Sequence, residues 1–338
     1  MQHIDSLQIQ ISNEIVSIDP KNFNKDTKER KDVEYTSYKI QPDLLPTGIS
    51  NIYVNDSHCN ISISSKLEPD QYYNMITNNN IERYLNGVIS TGLIQFNVNE
   101  VIESAIVLTC DTTNNIPNIK NVATYINPLL VYRVNDRFIC KLYPDQSISF
   151  LRDIKYKNKA EFLKFYDKHT ELTNSKKTED ITFLKLINPE QFRDVLRVES
   201  RFNTAKQMRK YFNIKAVNLL DVLNSQAPVN YHIFNKIIDI KDVETEILNN
   251  YNPIRKMREQ GVSRATIERK IGMLEIAKML NYDIRLIRDF INTGSSKKSN
   301  NSAVIKEYKE IIKSVNSEPT KDIVNERVNE IKQFLKVA

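Results

Sequence analysis

A chain of 338 residues, 40% hydrophobic and 27% charged, is globular and long enough to bury one large core or two ordinary ones. It has only 6 glycines and no Gly-rich turn of the kind that cradles a phosphate, which argues against a nucleotide-binding α/β enzyme. Its net charge of +6 is unevenly placed: residues 152–215 hold 16 Lys/Arg against 9 Asp/Glu, residues 251–298 hold 11 against 5, and the remainder is therefore negative. That distribution favours a nucleic-acid partner over lysines that merely solvate the surface.

No apolar run approaches the ~20 residues that span a bilayer, and the N-terminus is polar, so a soluble, unsecreted, cytoplasmic protein with no membrane partner is expected. The cysteines Cys59, Cys110 and Cys140 are odd in number, lack C-x-x-C spacing and lie in apolar strand-like settings, as reduced core thiols do. Residues 1–50 are polar, and the charged stretch 25–34 reads as a loop between weak strands. In residues 59–65 the alternation of Cys59, Ile61 and Ile63 with polar residues predicts a strand, and Pro69 then opens a predicted helix carrying Tyr72, Ile76, Ile81 and Leu85. A second β pattern over residues 105–111 places Asp111 at the end of a buried strand. The tyrosine-rich stretch 132–150 predicts more strands, with Asn135-Asp136 as a hairpin turn.

Two short alternating segments follow. In residues 163–168, Leu163 and Phe165 alternate with Lys164, Tyr166 and Lys168, so a strand here buries the apolar pair and presents a phenol between two ammonium groups. In residues 196–202, Leu196, Val198 and Phe202 face one way and Arg197, Glu199 and Arg201 the other. Side by side, the two strands would gather a phenol, cations and a carboxylate on one surface, a set suited to cleaving a phosphodiester. A phenol is a poor nucleophile at its usual pKa near 10 and needs cationic neighbours or a metal-polarised target. Lys168 is placed to supply the first. For the second, Asp111 and Glu199 are the candidate oxygen ligands for Mg2+ or Mn2+, with Glu171 joining only if the strand ends or bulges after Lys168.

The plainer reading of these segments is a solvated sheet face with a surface ion-pair ladder, and Asp111 as a turn former. His58 and His169 read as structural histidines, because the chain has no His-hydrophobic-His pair.

From residue 205 the pattern is helical. A helix over 205–212 brings Lys206, Arg209 and Lys210 close enough for a basic face, and within it Tyr211 reads as a packing residue beside Phe212. Residues 215–250 are helical with a break at Pro228, and short amphipathic helices follow to Phe290, with turns at Gly261 and Asn281. Residues 263–280 fit either a helix-turn-helix reader with Arg264, Arg269 and Lys270 near phosphates, or a structural bundle. Residues 294–302 are a linker, followed by one charged helix to the C-terminus.

Three motifs in order, Cys110-Asp111-Thr112-Thr113, Phe165-Tyr166-Asp167-Lys168-His169-Thr170-Glu171-Leu172 and Leu196-Arg197-Val198-Glu199-Ser200-Arg201, resemble the gene II-type replication initiation proteins of filamentous phages. They are similar, more distantly, to initiators of rolling-circle plasmids. The resemblance covers residues 55–290 at low similarity. Thr109-Cys110 departs from the Arg-Ile usual in phage members, and the first 50 residues have no counterpart.

The family implies a strand-specific nickase at a double-stranded origin. The tyrosine matching Tyr166 attacks the scissile phosphate, forms a 5′-phosphotyrosine link and leaves a 3′ hydroxyl that primes a host polymerase. By the same resemblance Asp111 and Glu199 hold the metal, Lys168 assists the tyrosine or the phosphate, and Arg197 and Arg201 steady the site or the backbone. The expected partners are an origin duplex with local single-stranded character, and a host helicase and polymerase.

The expected architecture is an α+β protein in which an antiparallel-sheet nuclease domain precedes a smaller helical domain. The expected boundaries are 1–215 for the nicking domain, 216–293 for the DNA-binding helices and 294–338 for linker and C-terminal helix. The readings left open beside this one are a non-catalytic origin or operator binder, and a nickase of mobilisation or transposition.

Overall fold

The computed structural model describes residues 2–30, 33–126, 129, 133–134, 138–143, 146–152, 162–175, 178–239, 261–280, 284–293, 301–316 and 321–337. Among them are twelve α-helices and a ten-stranded, wholly antiparallel sheet. The strands of that sheet are β1 (Ile4–Ser12), β2 (Phe23–Arg30), β3 (Val33–Ile40), β4 (Ile49–Asn55), β5 (His58–Ser64), β6 (Ile106–Ile116), β7 (Phe138–Tyr143), β8 (Ser147–Arg152), β9 (Phe162–Asp167) and β10 (Leu196–Phe202). Their order across the sheet is β7-β8-β9-β10-β6-β1-β5-β4-β3-β2. The helices are α1 (Ile81–Ser90), α2 (Val98–Ser104), α3 (Ala123–Ile126), α4 (Lys168–Thr173), α5 (Thr178–Leu184), α6 (Ala205–Phe212), α7 (Leu219–Asn224), α8 (Val229–Ile237), α9 (Arg264–Met279), α10 (Ile284–Thr293), α11 (Asn301–Asn316) and α12 (Lys321–Val337).

Period-two alternation gives the sheet one apolar and one polar face. Leu7, Ile9, Ile11, Cys59, Ile61, Ile63, Leu163, Phe165, Val198 and Phe202 are buried. Helices α6 and α8 pack against this side: Phe212 meets Phe202 edge-on at 5.3 Å, Phe234 meets Phe165 at 6.0 Å, and the Cys110 thiol lies 3.8 Å from the Met208 sulfur. Two of the polar residues that alternation leaves here, Thr112 and Asn114, are bonded by one helical side chain. Asn230, itself buried, accepts from Thr112 at 2.9 Å and donates to Asn114 at 2.6 Å.

Several expectations change. The described residues of the charged stretch 25–34 lie on two paired antiparallel strands, with Glu29 opposite Glu34, rather than in a loop. They form the edge of the sheet, where residues 24–29 are exposed and charge is tolerated on both faces. Pro69 opens a single 3-10 turn, Pro69–Gln71, because Met75 takes a left-handed φ of 62° and stops the chain from continuing as a helix; the helix begins at Ile81. Asp111 lies inside β6, which runs on to Ile116 and pairs with β10. Residues 135–137, including the expected Asn135-Asp136 turn, and Asn281 lie outside the described residues.

The chain divides into two compact units, residues 1–127, 134–239 and 330–338 in one, and 128–133 and 240–329 in the other. Helices α7 and α8, on either side of the break at Pro228, belong to the sheet unit, whereas the sequence reading divided the chain at 215/216. The second unit has its own core of Met273, Ala277, Ile287 and Tyr308. Within it α9 is one uninterrupted 16-residue helix, so 263–280 is not a helix-turn-helix; Gly272 is accommodated without a break. The expected C-terminal helix is described as α11 and α12, and residues 317–320, with Pro319, lie outside the described residues.

Gly48 fixes one wall of the polar face. Its φ of +91° suits glycine, and a Cβ there would sit 2.3 Å from the Leu67 backbone nitrogen. Gly48→Ala is expected to destabilise the sheet unit by about 2–3 kcal/mol, read as a lower urea midpoint at unchanged slope. An unchanged midpoint would show that the 41–50 loop is not held by this approach.

Candidate functional site

The β9–β10 register sets Tyr166 opposite Arg197, Lys164 opposite Glu199 and Phe162 opposite Arg201. On the other side of β10, β6 sets Asn115, Thr113 and Asp111 opposite Arg197, Glu199 and Arg201. Tyr166, Arg197, Glu199, Arg201 and Asp111 therefore share the polar face. The Tyr166 hydroxyl donates to the Glu199 carboxylate, and the Lys164 ammonium lies 4.0 Å above the Tyr166 ring.

Lys168 reaches the site by another route than expected. The strand stops at Asp167, whose carboxylate caps α4 by accepting from the Thr170 amide at 2.9 Å, so Lys168 is the first helical residue. Its buried ammonium turns back to lie 5.5 Å from the Tyr166 ring and 5.3 Å from the Tyr72 ring. Because the strand ends there, Glu171 comes within reach, one turn along the helix, and accepts from Lys168 at 2.7 Å.

Arg197 is 0% exposed. Its Nε donates to Asn115 at 2.9 Å, and its guanidinium lies 5.5 Å from the Tyr72 ring and 5.4 Å from the Phe192 ring. Its Nη1 is 3.9 Å from both Asp5 and Glu199, beyond hydrogen-bond distance, and neither Nη atom has a hydrogen-bond partner. Tyr72 and Phe192 belong to an apolar cluster with Leu172 and Phe183.

Asp5 was missed in the sequence. The β1–β6 register slips between Ile4 and Ser6, and the bulge turns Asp5 to the polar face, where it accepts from the Ser65 hydroxyl at 2.5 Å. The available signal was the doublet Asp5-Ser6 between Ile4 and Leu7, which breaks an otherwise regular alternation.

Electrostatics separate the two carboxylates at Arg197. Burial alone would raise the Asp5 carboxyl, but Arg197 and Lys168, with help from Ser65 and Lys66, hold it below its ordinary value. Burial and the Asp5 charge push Glu199 up against the opposing pull of Arg197 and Lys168. Burial and Glu199 raise the Tyr166 phenol well above its usual value, although Arg197 pulls the other way. For Lys168 the lowering by burial and Arg197 is outweighed by Tyr72, Glu171 and Asp5, so the ammonium stays protonated.

The three expected metal ligands do not converge. Asp111 is held by Arg201 through two hydrogen bonds of 2.7 and 2.6 Å and by Ser6 at 2.8 Å, Glu171 is held by Lys168, and Glu199 by Tyr166. Among the described residues no group of three or more His, Cys, Asp or Glu is placed to hold a metal ion. As it stands, this donor set does not fit Mg2+ or Mn2+.

Lys206, Arg209 and Lys210 are exposed on α6, above its buried Gln207, Met208, Tyr211 and Phe212. Tyr211 packs on Phe202 at 5.6 Å and accepts from Lys236 at 2.7 Å. In the second unit Arg264 pairs with Glu268 at 2.7 Å and Arg269 with Glu307 at 2.9 Å, while Lys270 is half-buried on the same helix. His58 bonds Asn55 and Ser57, and His169 faces Glu190 at 3.4 Å. Among the described residues no helix is long and apolar enough to cross a membrane. No family model, curated protein or solved structure matches the chain.

The opposed shifts carry a pH signature. Glu199, held above its ordinary 4.5, binds its proton more tightly folded than unfolded, so its contribution to stability falls as pH rises from 4.5 through the raised value. Asp5, held below 3.8, contributes stability that is present above that pH and lost as pH falls through its folded value. Relative to Glu199→Gln, the wild type is expected to lose melting temperature as pH rises from 4.5 towards neutrality. Parallel Tm–pH curves would show that Glu199 does not titrate in this window.

Proposed function

We propose that this protein nicks one strand of DNA at a replication origin by attack of Tyr166 on a phosphodiester, as the resemblance to gene II-type initiators implies. The observation that carries the reading is Arg197, a fully buried guanidinium with two unpartnered nitrogens, next to a phenol hydrogen-bonded to a carboxylate. Buried donors without partners cost about 1–3 kcal/mol each, more when charged, and a phosphoryl group supplies the anionic oxygens that would satisfy them.

In this reading Glu199 takes the Tyr166 proton as the phenolic oxygen attacks phosphorus. A carboxylate of raised pKa is the better base for that transfer. Arg197 and the Lys168 ammonium, both buried, face the charge that develops on the phosphoryl oxygens, where a low dielectric strengthens them. The bond from phosphorus to the 3′ oxygen breaks, the 3′ oxygen takes up a proton, and phosphate stays on Tyr166 through its 5′ side. The 3′ hydroxyl is then free to prime a host polymerase, with a helicase opening the duplex. The exposed Lys206, Arg209 and Lys210 are available to duplex phosphates, and a surface pair such as Arg264–Glu268 exchanges cheaply for them.

One observation favours non-catalytic DNA binding instead. Tyr166 is only 3% exposed and its phenol is held protonated, which suits a packing and hydrogen-bonding role better than a nucleophile.

The two readings part on one experiment. Purified wild type and Tyr166→Phe are incubated with supercoiled DNA carrying the cognate origin, in Mg2+ or Mn2+ and in EDTA. A nick with a covalent protein–DNA adduct in the wild type, absent from Tyr166→Phe, is expected. DNA retardation by both proteins with no nick from either would assign the chain to binding alone.

A further inference from the structure

Beside the charged site, β1, β5 and the loop before β4 enclose a groove of about 670 Å3, within the roughly 300–1,000 Å3 typical of small-molecule sites. Its lining includes Gln8, Ser62 and Ser64 from the polar face of the sheet, with Leu45 and Pro46 from the loop that Gly48 holds in place. Among the described residues the side chains of Gln8, Ser62 and Ser64 have no hydrogen-bond partner.

The cations of the groove are already neutralised, Arg201 by Asp111 and Lys66 by Asp180 at 2.6 Å. A phosphate would find no unpaired charge there. A flat neutral ring with donors and acceptors on its edge would find an apolar surface for its face and unpartnered amide and hydroxyl groups for its edge. Arg201 also connects the groove to the charged site: it is two residues along β10 from Glu199, about 7 Å.

We propose that this groove binds an unstacked nucleobase of the single strand leading to Tyr166, with Gln8, Ser62 and Ser64 reading the edge of the base. The proposal rests on the nicking reading for the presence of that strand. It assigns phosphate recognition to Arg197 and Lys168, and base recognition to neutral groups farther along the same face.

The test is fluorescence anisotropy of the full chain in EDTA with labelled single strands of about 12 nucleotides: oligothymidylate, oligodeoxyadenylate, oligodeoxycytidylate and a fully abasic strand. At least one base-bearing strand is expected to bind about tenfold tighter than the abasic one. Gln8→Ala, which removes the amide, and Ser62→Leu, which fills the floor, should each reduce that preference to about twofold and leave abasic binding unchanged. If Ser62→Leu fails to fold, Gln8→Ala decides alone.

Equal binding of all strands by the wild type, or a preference that survives Gln8→Ala, overturns the groove assignment. The adduct assay separates the two readings. Base preference without a Tyr166 adduct overturns nicking and leaves the groove, whereas an adduct without base preference overturns the groove and leaves nicking.

Discussion

The polar face is organised around one buried cation. A guanidinium taken out of water costs several kcal/mol unless its surroundings replace the lost hydration. Arg197 draws that replacement from five places in the chain: Asn115 on the neighbouring strand, Asp5 at a bulge in β1, Glu199 two residues along its own strand, and the ring faces of Tyr72 and Phe192. Each of these has to arrive at a fixed distance. The bulge in β1, the turn that carries Tyr72 and the turn that carries Phe192 are therefore constrained together, and Tyr166 inherits its position from the register opposite Arg197.

The compensation is incomplete in a particular direction. Nε is satisfied and both carboxylates stand back from Nη1 at 3.9 Å, so the charge is balanced while the hydrogen bonds are not. A purely structural arginine gains most when all its donors are used. The two unused donors lie beside a phenol, a raised carboxyl and a protonated lysine. Farther along the same face the polarity changes character: charges pair off as Arg201–Asp111 and Lys66–Asp180, and what remains open is neutral.

The site was partly legible. The parity of residues 163–168 and 196–202 was enough to put Tyr166, Arg197, Glu199 and Arg201 on one side, because a strand has no other way to place alternate residues. It failed at Lys168, where the capping bond of Asp167 ended the strand one residue early, and at Asp111, which parity put at a strand end although the ladder with β10 carries it on to Ile116. Asp5 lay outside the motifs altogether. A bulge is set by how two strands pair, and a single strand read alone cannot show it.

Local chemistry thus wrote the strands over 59–64, 162–167 and 196–202, the helix over 205–212 and the break at Pro228 directly into the chain, since alternation, capping residues and a missing amide act within a few residues. The grouping of those elements was settled at longer range. Whether Asp111, Glu199 and Glu171 meet one another or meet Arg201, Tyr166 and Lys168 depends on strand order, register and burial, through contacts between residues as far as 90 apart. Charge pairing in a low-dielectric interior is decided by distances of a few ångströms, and only the packed sheet sets those.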